Sequence, residues 1–183
     1  MQKVNGIPTW TTQEEREFVA SISKSVKRGG LIVEIGSLYG GMTAILAKAN
    51  PYARIITIDR FSWQPKGFPR PTAQIIKANL ARLKAKNVQV VQGDSKIIGE
   101  KWKAAIDLLW IDGGHSYESV TADLKNFSPH AKAIILHDYN HPTMTGVTEA
   151  VDDFLYKNKK WRKDKSAGKA LLLVSKGRKK AEE

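Results

Sequence analysis

Five acidic residues stand at or near the ends of apolar runs: Glu34 within residues 31–36, Asp59 closing Arg54-Ile-Ile-Thr-Ile-Asp59, and Asp94 just past Val88-Gln-Val-Val91. Asp112 closes Ile106-Asp-Leu-Leu-Trp-Ile-Asp112, and Asp138 follows Ala131-Lys-Ala-Ile-Ile-Leu136. A carboxylate in such a place must be exposed at an edge, paired, or occupied by a ligand. One of them would be commonplace turn chemistry. Five suit a polar ligand that offers several hydroxyl, amine or metal contacts. Histidines join them: His115 lies three residues after Asp112, and His137 directly precedes Asp138. A histidine titrates near neutral pH, so His115 can take a hydroxyl proton. An orienting role within its loop is the alternative, and Tyr139 and His141 are rivals for the base.

These residues need elements that bring them together. The run from Leu31 reads as a strand buried on both faces, and Met42-Thr-Ala-Ile-Leu-Ala-Lys48 reads as a helix. Gly36 and Gly40 lie in the turn between them, where each can take positive φ or admit a ligand close to the backbone. The amides opening the helix favour a negatively charged group. Asp59 follows this loop by about 20 residues, the place where nucleotide-binding α/β units keep an acid for ribose hydroxyls. Residues 61–71, with Pro65, Pro69, Pro71 and Gly67, form neither helix nor central strand, and their aromatic Phe61, Trp63 and Phe68 suit a loop at the ligand edge. Further helices are expected from a capping box at Thr11 and Glu14 to Gly29 and Gly30, over 72–86 with Asn87 at its end, from Val120 to before Pro129, and around Val147, Val151, Phe154 and Leu155. A last strand spans 169–175. Strands alternating with helices predict a parallel sheet covered on both faces, with all five acidic ends on one edge.

Composition bounds the reading. At 183 residues the chain suits one domain: an N-terminal helical segment over 1–30, a core over 31–176 and a charged tail over 177–183. It has no cysteine, which excludes disulfides, thiolate metal sites and cysteine nucleophiles. No signal-peptide order and no apolar run near the roughly 18 residues of a membrane span is present, so the default location is cytoplasmic. The net charge of +12 invites a nucleic-acid or phosphorylated partner, although solvated faces and the basic stretches 159–163 and 176–180 account for much of it.

The segments E-I-G-S-L-Y-G-G, I-D-R, G-D-S, I-D-G-G-H-S-Y-E and H-D-Y, in that order from Leu31 to about Ala150, resemble class I S-adenosylmethionine-dependent methyltransferases. Within these the chain is similar to small O-methyltransferases whose relatives use a divalent cation. The loop is not the dinucleotide fingerprint, because Leu38 stands where its second glycine would fall. The resemblance implies a Rossmann-like, seven-stranded, mostly parallel sheet whose last strand, 169–175, is antiparallel, with 160–164 as the sixth. It further implies that Glu34, Gly36, Ser37 and Gly40 hold the methionine end and ribose side of adenosylmethionine, Asp59 the ribose hydroxyls, and Asp94 with Ser95 the adenine. By the same resemblance Asp112 would, with His137 and Asp138, be a ligand of a magnesium or manganese ion, the alternative being that Asp112 contacts the cofactor. Two points stay open. His137 stands where the family carries an oxygen donor, so the cation differs, favouring manganese, iron or zinc, or is absent; and adjacent strand residues point opposite ways, so His137 and Asp138 reach one ion only if the chain turns there. The expected acceptor is a small-molecule hydroxyl. Methylation of nucleic acid or of a phosphorylated acceptor, or a non-catalytic adenosylmethionine-binding domain, is the alternative, and a homo-oligomer is an open state.

Overall fold

The computed structural model describes residues 1–175, so the basic run 176–180 and the tail 177–183 lie outside the described residues. The chain opens with a hairpin, β1 (Gln2–Val4) and β2 (Ile7–Thr9), turned by Asn5 and Gly6 at φ 50° and 79°. Asn-Gly between short apolar runs is the sequence signal for such a turn. The sequence reading passed over it.

Helix α1 (Gln13–Ser23) starts one residue later than expected: Thr12, not Thr11, is the N-cap, and Glu15, not Glu14, closes the capping box. The doublets Thr11-Thr12 and Glu14-Glu15 offer both registers equally, and Thr11 is instead buried against the Thr9 hydroxyl. The helix also ends at Ser23 rather than at the glycines, which form the following turn, with Gly29 donating to the Tyr52 carbonyl.

Next come β3 (Leu31–Ile35), α2 (Gly41–Ala49), β4 (Arg54–Asp59), α3 (Ala73–Arg82) and β5 (Val88–Gln92). Helix α3 stops short of residue 86 because Lys84 turns to φ 56°, and Asn87 spends its amide on the Asn50 and Ala53 carbonyls. A short α4 (Ser95–Glu100), not anticipated, leads to β6 (Leu108–Ile111), α5 (Tyr117–Phe127), a 3-10 turn at Ser128–His130, β7 (Ala133–Leu136), α6 (Thr145–Lys157), β8 (Trp161–Ala167) and β9 (Ala170–Ser175).

The seven-stranded sheet has the order β5-β4-β3-β6-β7-β9-β8, and β9 alone runs opposite to the other six strands. This is the expected Rossmann-like arrangement. Its two faces follow from strand alternation. Val33, Ile35, Leu109, Ile111, Ile134 and Leu136 pack with Leu124 and Phe127 of α5 and Val147 and Val151 of α6. Ile32, Ile55, Leu108, Trp110 and Ile135 pack with Val19 of α1 and Met42 and Leu46 of α2. Edge strand β8 exposes Arg162, Lys163 and Lys165, charges that discourage pairing with another chain's strand. Part of the positive excess is thereby explained without a nucleic acid. No helix among the described residues is long and apolar enough to cross a membrane.

Candidate functional site

Strands β5, β4, β3, β6 and β7 are consecutive in the sheet and parallel, so Asp94, Asp59, Glu34, Asp112 and Asp138 follow one another along its carboxyl edge. Two different surroundings divide them.

At the β3 end, Gly36 has φ 87°, and a Cβ there would stand 2.0 Å from the Asp112 carbonyl oxygen. Glycine therefore lets the β3 and β6 loops touch, so the close approach at this residue is by backbone. Gly40, at φ 84°, turns the chain into α2. Asp59 reaches across to this loop: its Oδ2 accepts from the Ser37 and Leu38 amides at 2.8 and 3.0 Å, and its Oδ1 from the Phe61 amide at 2.7 Å. With a longer contact from the Ser37 hydroxyl to Oδ2 at 3.4 Å, Oδ2 is saturated, and of the carboxylate's roughly four lone-pair positions about one remains, on Oδ1. These bonds also hold Leu38 at φ 51°, a left-handed conformation that costs a non-glycine residue on the order of 1 kcal/mol.

Glu34 is completely buried. Thr43 donates its hydroxyl to Oε2, while Oε1 has no hydrogen-bond partner. Burial pushes its pKa up to about 8, against the pull of the Thr43 hydroxyl, and the charges of Asp112 and Asp59 push the same way. An orphaned buried oxygen beside two other acids fits a ligand group that is cationic or donates hydrogen bonds.

Asp94 is the N-cap of α4, accepting from the Lys96 amide at 2.9 Å, with Arg60 3.5 Å from its other oxygen. Ser95 opens that helix near Asp123, a buried acid on α5 whose pKa burial raises to about 6 against the opposing pull of the Ser95 hydroxyl. Asp123 was missed, although a lone acid on the apolar face set by Val120, Leu124 and Phe127 was visible in the sequence.

The β6 and β7 ends differ. Asp138 adopts φ 57°, so the chain does turn after β7 and brings two adjacent side chains to one place. His137 Nδ1 stands 3.2 Å from both Asp112 Oδ1 and Asp138 Oδ2. His115 Nε2 lies 3.2 Å from Asp138 Oδ2 and 3.8 Å from Asp112 Oδ1. Neither ring nitrogen is aligned for a hydrogen bond, although both are buried. Donors about 2.1 Å from a tetrahedral zinc-sized ion stand about 3.4 Å apart, close to these spacings. One ligand atom each from Asp112, His115 and Asp138 lie within 4.8 Å of one another. The donor set thus fits a divalent first-row cation, and its imidazoles suit manganese, iron or zinc better than magnesium.

Electrostatics bind this group tightly. The Asp112 carboxylate, followed by that of Asp138, raises the pKa of His115 to about 9 against the opposing effect of burial. Burial opposes charge on His137, but Asp112, Asp138 and Glu15 outweigh it and raise its pKa strongly. Asp138 is held well below the usual carboxylate range, its burial overcome by the two imidazoles.

Glu15 was also missed, and nothing local pairs it with a residue 122 positions away: its Oε2 meets His137 Nε2 at 3.2 Å. The rival bases have other partners. The Tyr139 hydroxyl donates to Asp152 at 3.0 Å and accepts from Lys163, and His141 Nδ1 accepts from the Thr143 amide at 3.2 Å. A cavity of about 360 Å³ lies beside this edge rather than in it, between Tyr139, Lys163 and Lys169.

A family described as a methyltransferase domain matches residues 33–139, which holds Glu34, Asp59, Asp94, Asp112 and Asp138 together. No curated protein matches the chain in sequence. Among solved structures, the chain is similar to the O-methyltransferase NovP (16% identity, 88% of this chain and 79% of that one, TM-score 0.75). It is also similar to cofactor-bound Rv0187 from MTB (18% identity, 92% and 83%, TM-score 0.72). A third is the O-methyltransferase TomG from Streptomyces achromogenes, in complex with SAM (17% identity, 90% and 81%, TM-score 0.65). At these identities the likeness carries the fold.

Proposed function

The chain belongs to this methyltransferase-domain family, and from that premise we propose that it transfers a methyl group from S-adenosylmethionine to a hydroxyl of a small molecule, assisted by a divalent cation. The observation that carries the reading is the row of five carboxylates on adjacent parallel strands, with a buried, unpartnered Glu34 oxygen at its centre.

Adenosylmethionine offers an amino group, ribose hydroxyls and adenine, and each finds an acceptor along this row. Glu34 Oε1 takes the amino end, directly or through water. Ser37 and the turn at Gly36 and Gly40 shape the wall beside it. Asp59 keeps the loop in place and has about one lone pair left for a ribose hydroxyl. Asp94, Ser95 and the Arg60 beside them border the adenine.

Asp112, His137 Nδ1 and Asp138 would hold the cation. When bound, it supplies Lewis acidity that lowers the acceptor hydroxyl's pKa and orients it. His115, the most exposed of the four, faces the acceptor side; a bound cation's charge would offset the two carboxylates that hold its pKa at about 9, so that the neutral imidazole takes the proton and Asp112 and Asp138, 3.8 and 3.2 Å away, stabilise the imidazolium that results. The chain's own contribution is positioning, since displacement at a sulfonium methyl needs aligned reactants and no covalent intermediate. Trp63, 58% exposed and 5.1 Å from the Trp10 ring, lies in the loop best placed to select the acceptor.

The test is calorimetry with adenosylmethionine, its demethylated product and NAD, followed by methyl transfer to a panel of phenols and sugar hydroxyls with and without manganese. Binding of the first two but not NAD, and manganese-dependent turnover, is expected. Failure to bind either sulfur nucleoside sinks the reading. His115→Ala separates base from ligand: a base loses turnover and alters the pH profile at unchanged manganese affinity, whereas a ligand loses manganese as well.

A further inference from the structure

We propose that Glu15, on the N-terminal helix, is a positioning residue that fixes the His137 ring so that Nδ1 is offered to the pocket between Asp112 and Asp138. Glu15 is 2% exposed, and each of its oxygens is committed. Oε2 accepts from the Thr12 amide at 2.7 Å and meets His137 Nε2 at 3.2 Å; Oε1 accepts from the Lys169 amide at 2.9 Å. It thereby ties the start of α1, the β8–β9 turn and the end of β7 to one carboxylate.

A capping box needs only the first of these contacts and works on an exposed helix end. Two features go beyond capping. Gly168 has φ 54°, and a Cβ on it would stand 2.6 Å from Glu15 Oε1, so the β8–β9 turn makes room for the carboxylate. Among the described residues His137, only 6% exposed, has no carboxylate but Glu15 at Nε2, while its Nδ1 faces two.

The consequence is tautomeric. A carboxylate at Nε2 keeps a proton on that nitrogen, so Nδ1 is the atom left to give its lone pair to a cation. A carboxylate behind a ligating imidazole fixes the ring's orientation and raises its basicity, and loss of such a partner typically weakens metal binding about 10- to 100-fold. The metal arm of this inference rests on the cation reading above; the ring-proton arm does not.

Three proteins distinguish positioning from capping: wild type, Glu15→Ala, and Thr12→Ala, which removes the cap hydroxyl but leaves His137 its partner. In metal-free protein, nitrogen-15 NMR is expected to show a protected Nε2 proton on His137 in wild type and Thr12→Ala, and to lose it in Glu15→Ala. Manganese titration followed by electron paramagnetic resonance is expected to weaken about 10- to 100-fold in Glu15→Ala and to stay unchanged in Thr12→Ala. Should Glu15→Ala not fold, Glu15→Gln serves, because glutamine still completes a capping box while giving up the charge; its manganese affinity is expected to fall in the same direction. Wild-type ring signals and affinity in the Glu15 variants, or equal losses in Thr12→Ala, overturn the proposal. If wild type binds no manganese, the cation reading fails, and the His137 proton alone decides the role of Glu15.

Discussion

The two halves of the strand-end edge treat the same residue type in opposite ways. On the β4 and β5 side, Asp59 and Asp94 accept from backbone amides and serve the loops that carry them. On the β6 and β7 side, Asp112 and Asp138 face imidazoles whose nearest nitrogens lack aligned partners. Glu34 stands between, half satisfied by Thr43. A carboxylate committed to amides is part of the scaffold, and one facing misaligned donors is poised for something that comes from outside. What sets the two halves apart is the donors each supplies to its acids.

Substitutions that respect shape test this division. The largest effect is expected at Asp138→Asn, since asparagine tolerates the left-handed backbone there. It should weaken manganese binding by more than the roughly 100-fold ceiling for loss of an outer-shell partner, while calorimetry with the demethylated cofactor changes little. Loss of both together would dissolve the division.

Glu34→Gln is expected to act in reverse, weakening the sulfur nucleoside but leaving manganese affinity intact. It also has a stability signature. The folded pKa of about 8 lies above the ordinary carboxylate value of about 4.5, so the unfolded chain gives up this proton first. Stability is therefore fully present below about pH 4.5 and declines as pH rises through about 8. The glutamine variant removes that decline and should be more stable at pH 9 by an amount on the order of a few kcal/mol, read by urea unfolding across pH.

Asp59→Asn comes next. It reverses the oxygen-only pattern that three amides require, and should lower unfolding stability by about 1 to 3 kcal/mol even without ligand. A neutral outcome would mean that Asp59 is not the loop's brace.

Glu15 sets the acid limit of the other half. Burial favours its neutral form, but His137 and the Lys169 and Thr12 amides hold its pKa at about 2, below the ordinary 4.5. The stability it supplies is present above about pH 4.5 and lost as pH falls through about 2, so an acid unfolding curve should flatten over that window in Glu15→Gln. The smallest effect is expected at Trp63→Ala: stability within about 0.5 kcal/mol, with KM for the acceptor raised and manganese affinity unchanged.

Most of the sheet was legible because the signals are local. Runs such as Leu108-Leu-Trp-Ile111, short, apolar throughout and followed by Asp-Gly-Gly, read as buried strands, and the parallel order that alternation implies put five acids on one edge. The turn at Asp138 could be posed as a condition from strand geometry, but its φ of 57° came from the fold. Helix ends were read less well, since the glycines after α1 and the polar stretch after α3 allow several stopping points of similar energy.

What the sequence by itself determined is the set of acid-ended strands, their succession and the glycine turn, because hydrophobic periodicity and backbone φ preferences act over a few residues. What only the tertiary structure decided is which donor meets which acid. Asp59 reaches the Ser37 and Leu38 amides, and Glu15 finds His137 across 122 residues, through distances that exist only once the layers pack. The capping register of α1 belongs with these: two threonines and two glutamates left it locally degenerate, and the Glu15 register is the one in which the carboxylate meets a buried histidine.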